Sequence, residues 1–162
     1  MRSQDLVLAT DAIPEGTIKK WEWFASDTIT AGAYNNFKIK LCHTSRATLD
    51  KNFATNYDSN TPVQVYTKVS QSVNPTPYTW FGFAFGTNFE YDGTKNLIFE
   101  VEWNGDSGGK ATTYWSPGTG RCIVGLNGAG ANLYNYVHYM RITLEPSAVS
   151  PTSVGRVKAL YR

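Results

Sequence analysis

The chain has 162 residues, with 41% hydrophobic, 17% charged and a formal net charge of +2. That length suits one domain with a proper core, and the scarcity of charge argues against disorder. A nucleic-acid partner would want a concentrated basic face, which is missing; no stretch reaches the ~20 apolar residues of a membrane helix.

Aromatic residues make up 14% of the chain, with 10 Tyr, 8 Phe and 5 Trp. Aromatic and β-branched side chains suit a pleated, half-buried surface, and 14 Gly and 7 Pro supply turns for many short strands. The N-terminus Met1-Arg2-Ser3-Gln4-Asp5-Leu6 has no signal-peptide apolar region. Either export information has been removed or, as the strand-like first residues favour, the chain is a piece cut from a larger precursor with Met1 added.

In chain order, Gln4–Thr10 reads as a strand, with Leu6 and Leu8 on one face. Thr17–Ser26 alternates Trp21, Trp23 and Ala25 against Lys20, Glu22 and Phe24. Ala31-Gly32-Ala33 reads as a loop. Asn36–His43 puts Phe37, Ile39 and Leu41 on one face, with Lys38, Lys40 and Cys42 on the other. Ser45–Phe53 is the one candidate helical turn, capped by Thr44 or Ser45, with Leu49 and Phe53 packing inward. Val63–Val69 should face Val63, Val65 and Val69 inward. Tyr78–Phe85 is apolar or small on both faces, as in a central strand covered on both sides.

Asn96–Trp103 directs Leu97, Phe99, Val101 and Trp103 inward, and Ile98, Glu100 and Glu102 the other way. Ala111–Ser116, Arg121–Asn127 and a long Tyr134–Leu144 are further strands. Residues 1–145 thus form an all-β unit, an antiparallel, jelly-roll-like β-sandwich of about ten strands with at most one short helix. Residues 146–162 form a linker, Pro146–Pro151, and a strand-like tail carrying Val154, Val157, Leu160 and Tyr161. The tail is expected to dock on its own sheet or on a neighbour's.

Cys42 and Cys122 lack any CxxC or His/Cys cluster, so no metal site is expected. They either bridge, in an exported domain, or stay as separate thiols. His43 and His138 read as structural, since Ser45 and Ser107 lack a nucleophile elbow. Glu100 and Glu102, with Glu90 as a further contributor, invite a glycosidase reading; the plainer reading is a solvated strand face paired to Lys or Arg. The Gly-rich runs at Asn104–Gly109 and Gly118–Arg121 precede no helix and read as hairpin loops. No catalytic residue and no cofactor is expected.

Asp92-Gly93 signals a hairpin, because Gly accepts φ > 0, and Asp92 and Asn96 can accept hydrogen bonds from the turn backbone. A calcium site using Asp92, Asn96 and Asp106 is the alternative, but the dense Asp spacing of a calcium loop is missing. Three segments together resemble a β-sandwich module of large secreted proteins from Bacteroidetes-like and candidate-phylum bacteria. They are Asn36–Ser45, Thr61–Tyr66 and Phe89–Val101, the last carrying Phe-Glu-Tyr-Asp-Gly-Thr-Lys-Asn-Leu. The resemblance spans roughly residues 4–144. It implies an extracellular sandwich without cofactor or catalytic residues.

Three functional expectations follow. The first is a non-enzymatic structural or adhesive module, extending to a filament subunit that adds its tail strand to a neighbouring copy. Its partners would be copies of itself or other extracellular proteins. The second is a carbohydrate-binding module, with a small glycosidase as a weaker third. The aromatic surplus carries the second, and alternation leaves Trp80, Trp115 and Tyr134 as the exposed platform for glycans.

Overall fold

A computed structural model describes residues 1–108, 110–126, 131–145 and 158–159; for 28–29, 110–112 and 158–159 it describes the backbone alone. The fold is all-β, with two packed antiparallel sheets, as the alternation patterns required. One sheet runs in the order β4 (Val63–Val73), β3 (Gly32–Thr44), β6 (Asn96–Glu102), β1 (Arg2–Val7), β8 (Trp115–Gly125), β9 (Asn132–His138). The other runs β11 (Lys158–Ala159), β10 (Met140–Glu145), β2 (Gly16–Thr30), β5 (Trp80–Tyr91). The far end of β2 leaves β5 and pairs with β7 (Lys110–Thr113).

The core between the sheets is strongly aromatic. Trp21 of β2 stacks on Phe99 of β6 with ring centroids 4.0 Å apart, and Trp23 meets Phe99 edge-on at 5.2 Å. Ile39, Leu41, Leu97, Ile18 and Val7 are buried around them. Each such side chain contributes about 1.5–3 kcal/mol of burial energy.

A second, smaller core lies on the opposite face of the first sheet. Leu6, Cys42, Ile98 and Ile123 point there and are roofed by Leu49, Phe53 and Tyr57 from the 45–57 segment. Glu100 shares that face with no exposure at all. Its Oε2 accepts from Arg2 Nε at 2.7 Å, Gln4 Nε2 at 2.7 Å and the Tyr57 hydroxyl at 2.5 Å, while Lys40 Nζ lies 3.2 Å from Oε1. The expected solvated carboxylate face is therefore corrected at Glu100. The loop removes it from water, and its Arg and Lys partners are what make that burial tolerable. Burial, together with the Glu100 charge, pushes the Tyr57 phenol up.

Other expectations are corrected for identifiable reasons. Ser45–Phe53 is not helical, although Leu49 and Phe53 are buried as expected. Side-chain acceptors capture its backbone instead: Asp50 accepts from Asn52 N–H, Asn52 from Ala54 N–H, and Asn56 from Asp50 N–H. The only helical turn there is a short 3-10 turn at Thr55–Tyr57. Val69 is 83% exposed because β4 carries an extra residue at Val65, where Ile39 pairs with Tyr66 but Lys40 pairs with Gln64. That bulge swaps the faces beyond it.

The 78–85 segment is not a central strand. β5 is an edge whose sheet partner is β2. Phe81, Phe83 and Phe85 pack on the core, whereas Ala84 is exposed. The expected 134–144 strand breaks at Tyr139 into β9 and β10, which lie in different sheets. Ala31-Gly32-Ala33 is not a loop, since β3 starts at Gly32.

Cys42 and Cys122 are both free and buried. They sit on β3 and β8, with β6 and β1 between them. Three strand spacings are about 14 Å, twice the reach of a disulfide, so the bridge is excluded. Tail residues Val154, Val157, Leu160 and Tyr161, like the spacer Pro146–Pro151, lie outside the described residues. Lys158 and Ala159 pair antiparallel with Ile142 and Arg141 of the same chain.

Replacing Glu100 with Ala strips the acceptor from Arg2, Lys40, Gln4 and Tyr57 at once. The expected loss is about 3–5 kcal/mol, the usual cost of breaking a buried ion pair, read as a fall in the denaturant midpoint. A midpoint within the error of wild type would show that the 45–57 roof does not depend on this carboxylate.

Candidate functional site: an aromatic row and a polar cluster beside an open cavity

The Asp92 turn links β5 to β6 and so crosses from one sheet to the other; it is not the expected hairpin. At Asp92 its chemistry is as read from sequence, whereas Asn96 accepts from Ala9, outside the turn. Asp92 Oδ1 accepts from Thr94 N–H at 2.9 Å, Lys95 N–H at 2.9 Å and the Thr94 hydroxyl at 3.1 Å. Burial would raise the Asp92 carboxyl, but these hydrogen bonds and the neighbouring His43 bring it down to about 2. Asn96 Oδ1 accepts from Ala9 N–H at 2.7 Å, and its amide donates to the Arg46 carbonyl at 2.8 Å. Both side chains are thus committed to the turn and its neighbours, a structural role. His43 lies beside them, against Phe89 and Tyr91, and burial lowers its pKa.

The three platform residues divide. Trp80 lies on the outer side of the second sheet, edge-on to Phe24 at 5.2 Å and under the Arg141 guanidinium at 4.8 Å. Trp115 and Tyr134 come together on the first sheet, 57% and 36% exposed. Tyr136 stands between them, 5.4 Å from Trp115 and 5.2 Å from Tyr134. β-Alternation explains the row: Tyr134, Tyr136 and His138 are two apart on β9, and Trp115 of β8 pairs with His138.

The row ends at a polar cluster that sequence reading did not assemble. His138 Nδ1 lies 2.9 Å from each Asp5 carboxylate oxygen. Cys122 is the register partner of Asp5 across the β1–β8 ladder, so the two side chains share a face. The Asp5, Cys122 and His138 ligand atoms all lie within 4.8 Å of one another. Burial pushes the Cys122 thiol up strongly, and the Asp5 charge adds to this, while the nearby Tyr136 hydroxyl pulls the other way. Burial opposes charge on His138, but Asp5 outweighs it and raises the imidazole. A thiol held so firmly protonated is a poor nucleophile. The signal in sequence was faint, since the three residues are 133 positions apart at the extremes.

Asp5 and His138 also line a cavity of about 370 Å³ between the sheets. Its other walls are largely aromatic, with Trp23, Phe37, Phe81, Phe83 and Trp103. That volume is in the range of about 300–1,000 Å³ typical of small-ligand sites. The carboxylates considered for glycoside cleavage are placed differently. Glu100 is under the 45–57 roof, Glu102 is held by Lys40 at 2.6 Å, and Glu90 accepts from Thr17 at 2.7 Å.

No protein-family model, curated protein or solved structure matches this chain, so the site is read from its own residues.

Gly93 has φ +71°, and a Cβ there would meet the Glu15 backbone nitrogen at 3.0 Å. Gly93→Val should therefore cost about 1–3 kcal/mol by denaturant titration, and an unchanged midpoint would discount the turn strain. Asp92→Ala tests the turn's hydrogen bonds by pH. Because folding lowers the Asp92 pKa from 3.8 to about 2, its contribution is complete above the unfolded value and is lost as pH falls through the folded one. The deficit of Asp92→Ala against wild type should be full near neutral pH and vanish toward about pH 2. A deficit constant with pH would contradict it.

Proposed function

We propose that the chain is a non-catalytic, extracellular adhesive module that binds glycans through the Trp115–Tyr136–Tyr134 row. The observation that carries this reading is the row itself. It is a contiguous, partly exposed aromatic surface on adjacent, paired strands β8 and β9. Aromatic rings offer flat apolar faces to the C–H faces of sugars, and their hydroxyl or indole edges reach the sugar hydroxyls. A β-ladder fixes the ring spacing, so little ordering cost is left for binding. The resemblance to modules of secreted bacterial proteins supports the extracellular assignment.

Binding without turnover is supported by the carboxylates. Catalysis of glycoside cleavage needs two carboxyl groups facing each other across the sugar, about 5–9.5 Å apart. Glu100 instead spends its charge on Arg2 and Lys40 beneath a roof of Leu49, Phe53 and Tyr57. Assembly by strand exchange draws no support from β11, which pairs with β10 of its own chain. Copies of the chain or other extracellular proteins remain partners by way of the exposed aromatic surfaces.

A glycan array identifies the ligand, and calorimetry with that glycan tests the surface. Trp115→Ala and Tyr134→Ala should each weaken binding by about 3- to 10-fold, the worth of one stacking contact. Trp80→Ala, on the other sheet, should leave it unchanged. Retention of full affinity in the Trp115→Ala, Tyr134→Ala double variant would overturn the assignment, as would release of reducing sugar during the titration.

A further inference from the structure

We propose that Asp5, Cys122 and His138 form a binding site for one divalent transition-metal ion of the zinc class. Three observations carry it. The first is composition: a carboxylate, a thiol and an imidazole come from β1, β8 and β9, with their ligand atoms all within 4.8 Å of one another. Around a tetrahedral zinc ion, ligand atoms stand about 3.3–3.8 Å apart. The contact between His138 Nδ1 and Asp5, now 2.9 Å, must open only slightly to admit the ion.

The second observation is charge. Asp5 and Cys122 are 2% and 0% exposed. Without an ion, the Cys122 thiol and the His138 imidazole are what face the Asp5 carboxylate, and the thiol offers it only a weak S–H donor. With a divalent ion, the thiol releases its proton, and carboxylate and thiolate together cancel the ion's two charges. The neutral imidazole completes the set, so the buried assembly carries no net charge. The other cysteine shows what a packing thiol looks like in this fold: Cys42 sits among Leu6, Ile98 and Ile123 and donates to the His43 carbonyl at 3.3 Å.

The third observation is access and support. Asp5 and His138 line the cavity between the sheets, which gives an ion a path to otherwise buried ligands. Tyr136 packs edge-on against the His138 ring at 5.3 Å, the kind of outer contact that orients a metal ligand. The same tyrosine is the middle ring of the exposed row, so the ion would fix the ring on which the row is built.

Cobalt(II) titrated into the intact, reduced chain tests the proposal. The expected result is saturation at one ion per chain, with a sulfur-to-cobalt charge-transfer band. The band should be lost in Cys122→Ser, weakened at least 10-fold in apparent affinity in His138→Gln, and retained in Cys42→Ala. Zinc should displace cobalt and raise the melting temperature of the wild type but not of His138→Gln. Circular dichroism confirms that each variant is folded; should Cys122→Ser fail to fold, His138→Gln carries the comparison. No charge-transfer band in the wild type, a band that survives in folded Cys122→Ser, or a melting temperature indifferent to zinc would each overturn the site.

Discussion

β6 is buried on both faces, and the rest of the molecule is arranged around that demand. Leu97, Phe99 and Val101 enter the core between the sheets, while Ile98 and Glu100 face the second core under the 45–57 segment. A strand with two dry faces needs apolar neighbours on one side and an answer to its charge on the other. The Trp21–Phe99 stack is the first answer, and the Arg2–Lys40–Gln4–Tyr57 shell around Glu100 is the second. The roof segment also explains its own irregularity. Asp50, Asn52 and Asn56 satisfy its backbone locally, so it covers β6 without forming regular structure.

Away from β6 the burial eases. β8 and β9 form one flank of the wider sheet, and there the row of Trp115, Tyr136 and Tyr134 remains partly open to solvent. The step from row to cavity is made by His138, which meets Tyr136 edge-on at 5.3 Å and lines the cavity beside Asp5. The exposed surface and the buried polar cluster are thus one continuous structure. A ligand on the row and an ion in the cluster would act on the same tyrosine.

Strand positions and inward faces were legible wherever alternation was unbroken. Phe37, Ile39 and Leu41, and Leu97, Phe99 and Val101, are buried on the face their period-2 pattern assigned. The turn at Asp92-Gly93 was legible too, because positive φ and side-chain capping are local requirements. Reading failed where an extra residue entered a ladder. The bulge at Val65 turned Val69 outward, and Gly118–Arg121, expected as a hairpin loop, lies inside β8, where these four residues oppose one of β9 and shift its register. A bulge is a property of two strands together, so no pattern within one strand announces it.

By itself, the sequence determined the all-β class, the sandwich and most of its core, because these follow from residue type and spacing along one strand. It also marked Trp115 and Tyr134 as residues with no place in that core. The tertiary structure alone decided which strands became neighbours. It therefore decided that Cys42 and Cys122 stand apart, that Glu100 is dry, and that Asp5, Cys122 and His138 meet. The physical reason is the order of strands in a sheet, which is set by long-range packing of whole faces. Residues more than a hundred positions apart become ligand-distance neighbours only through that order.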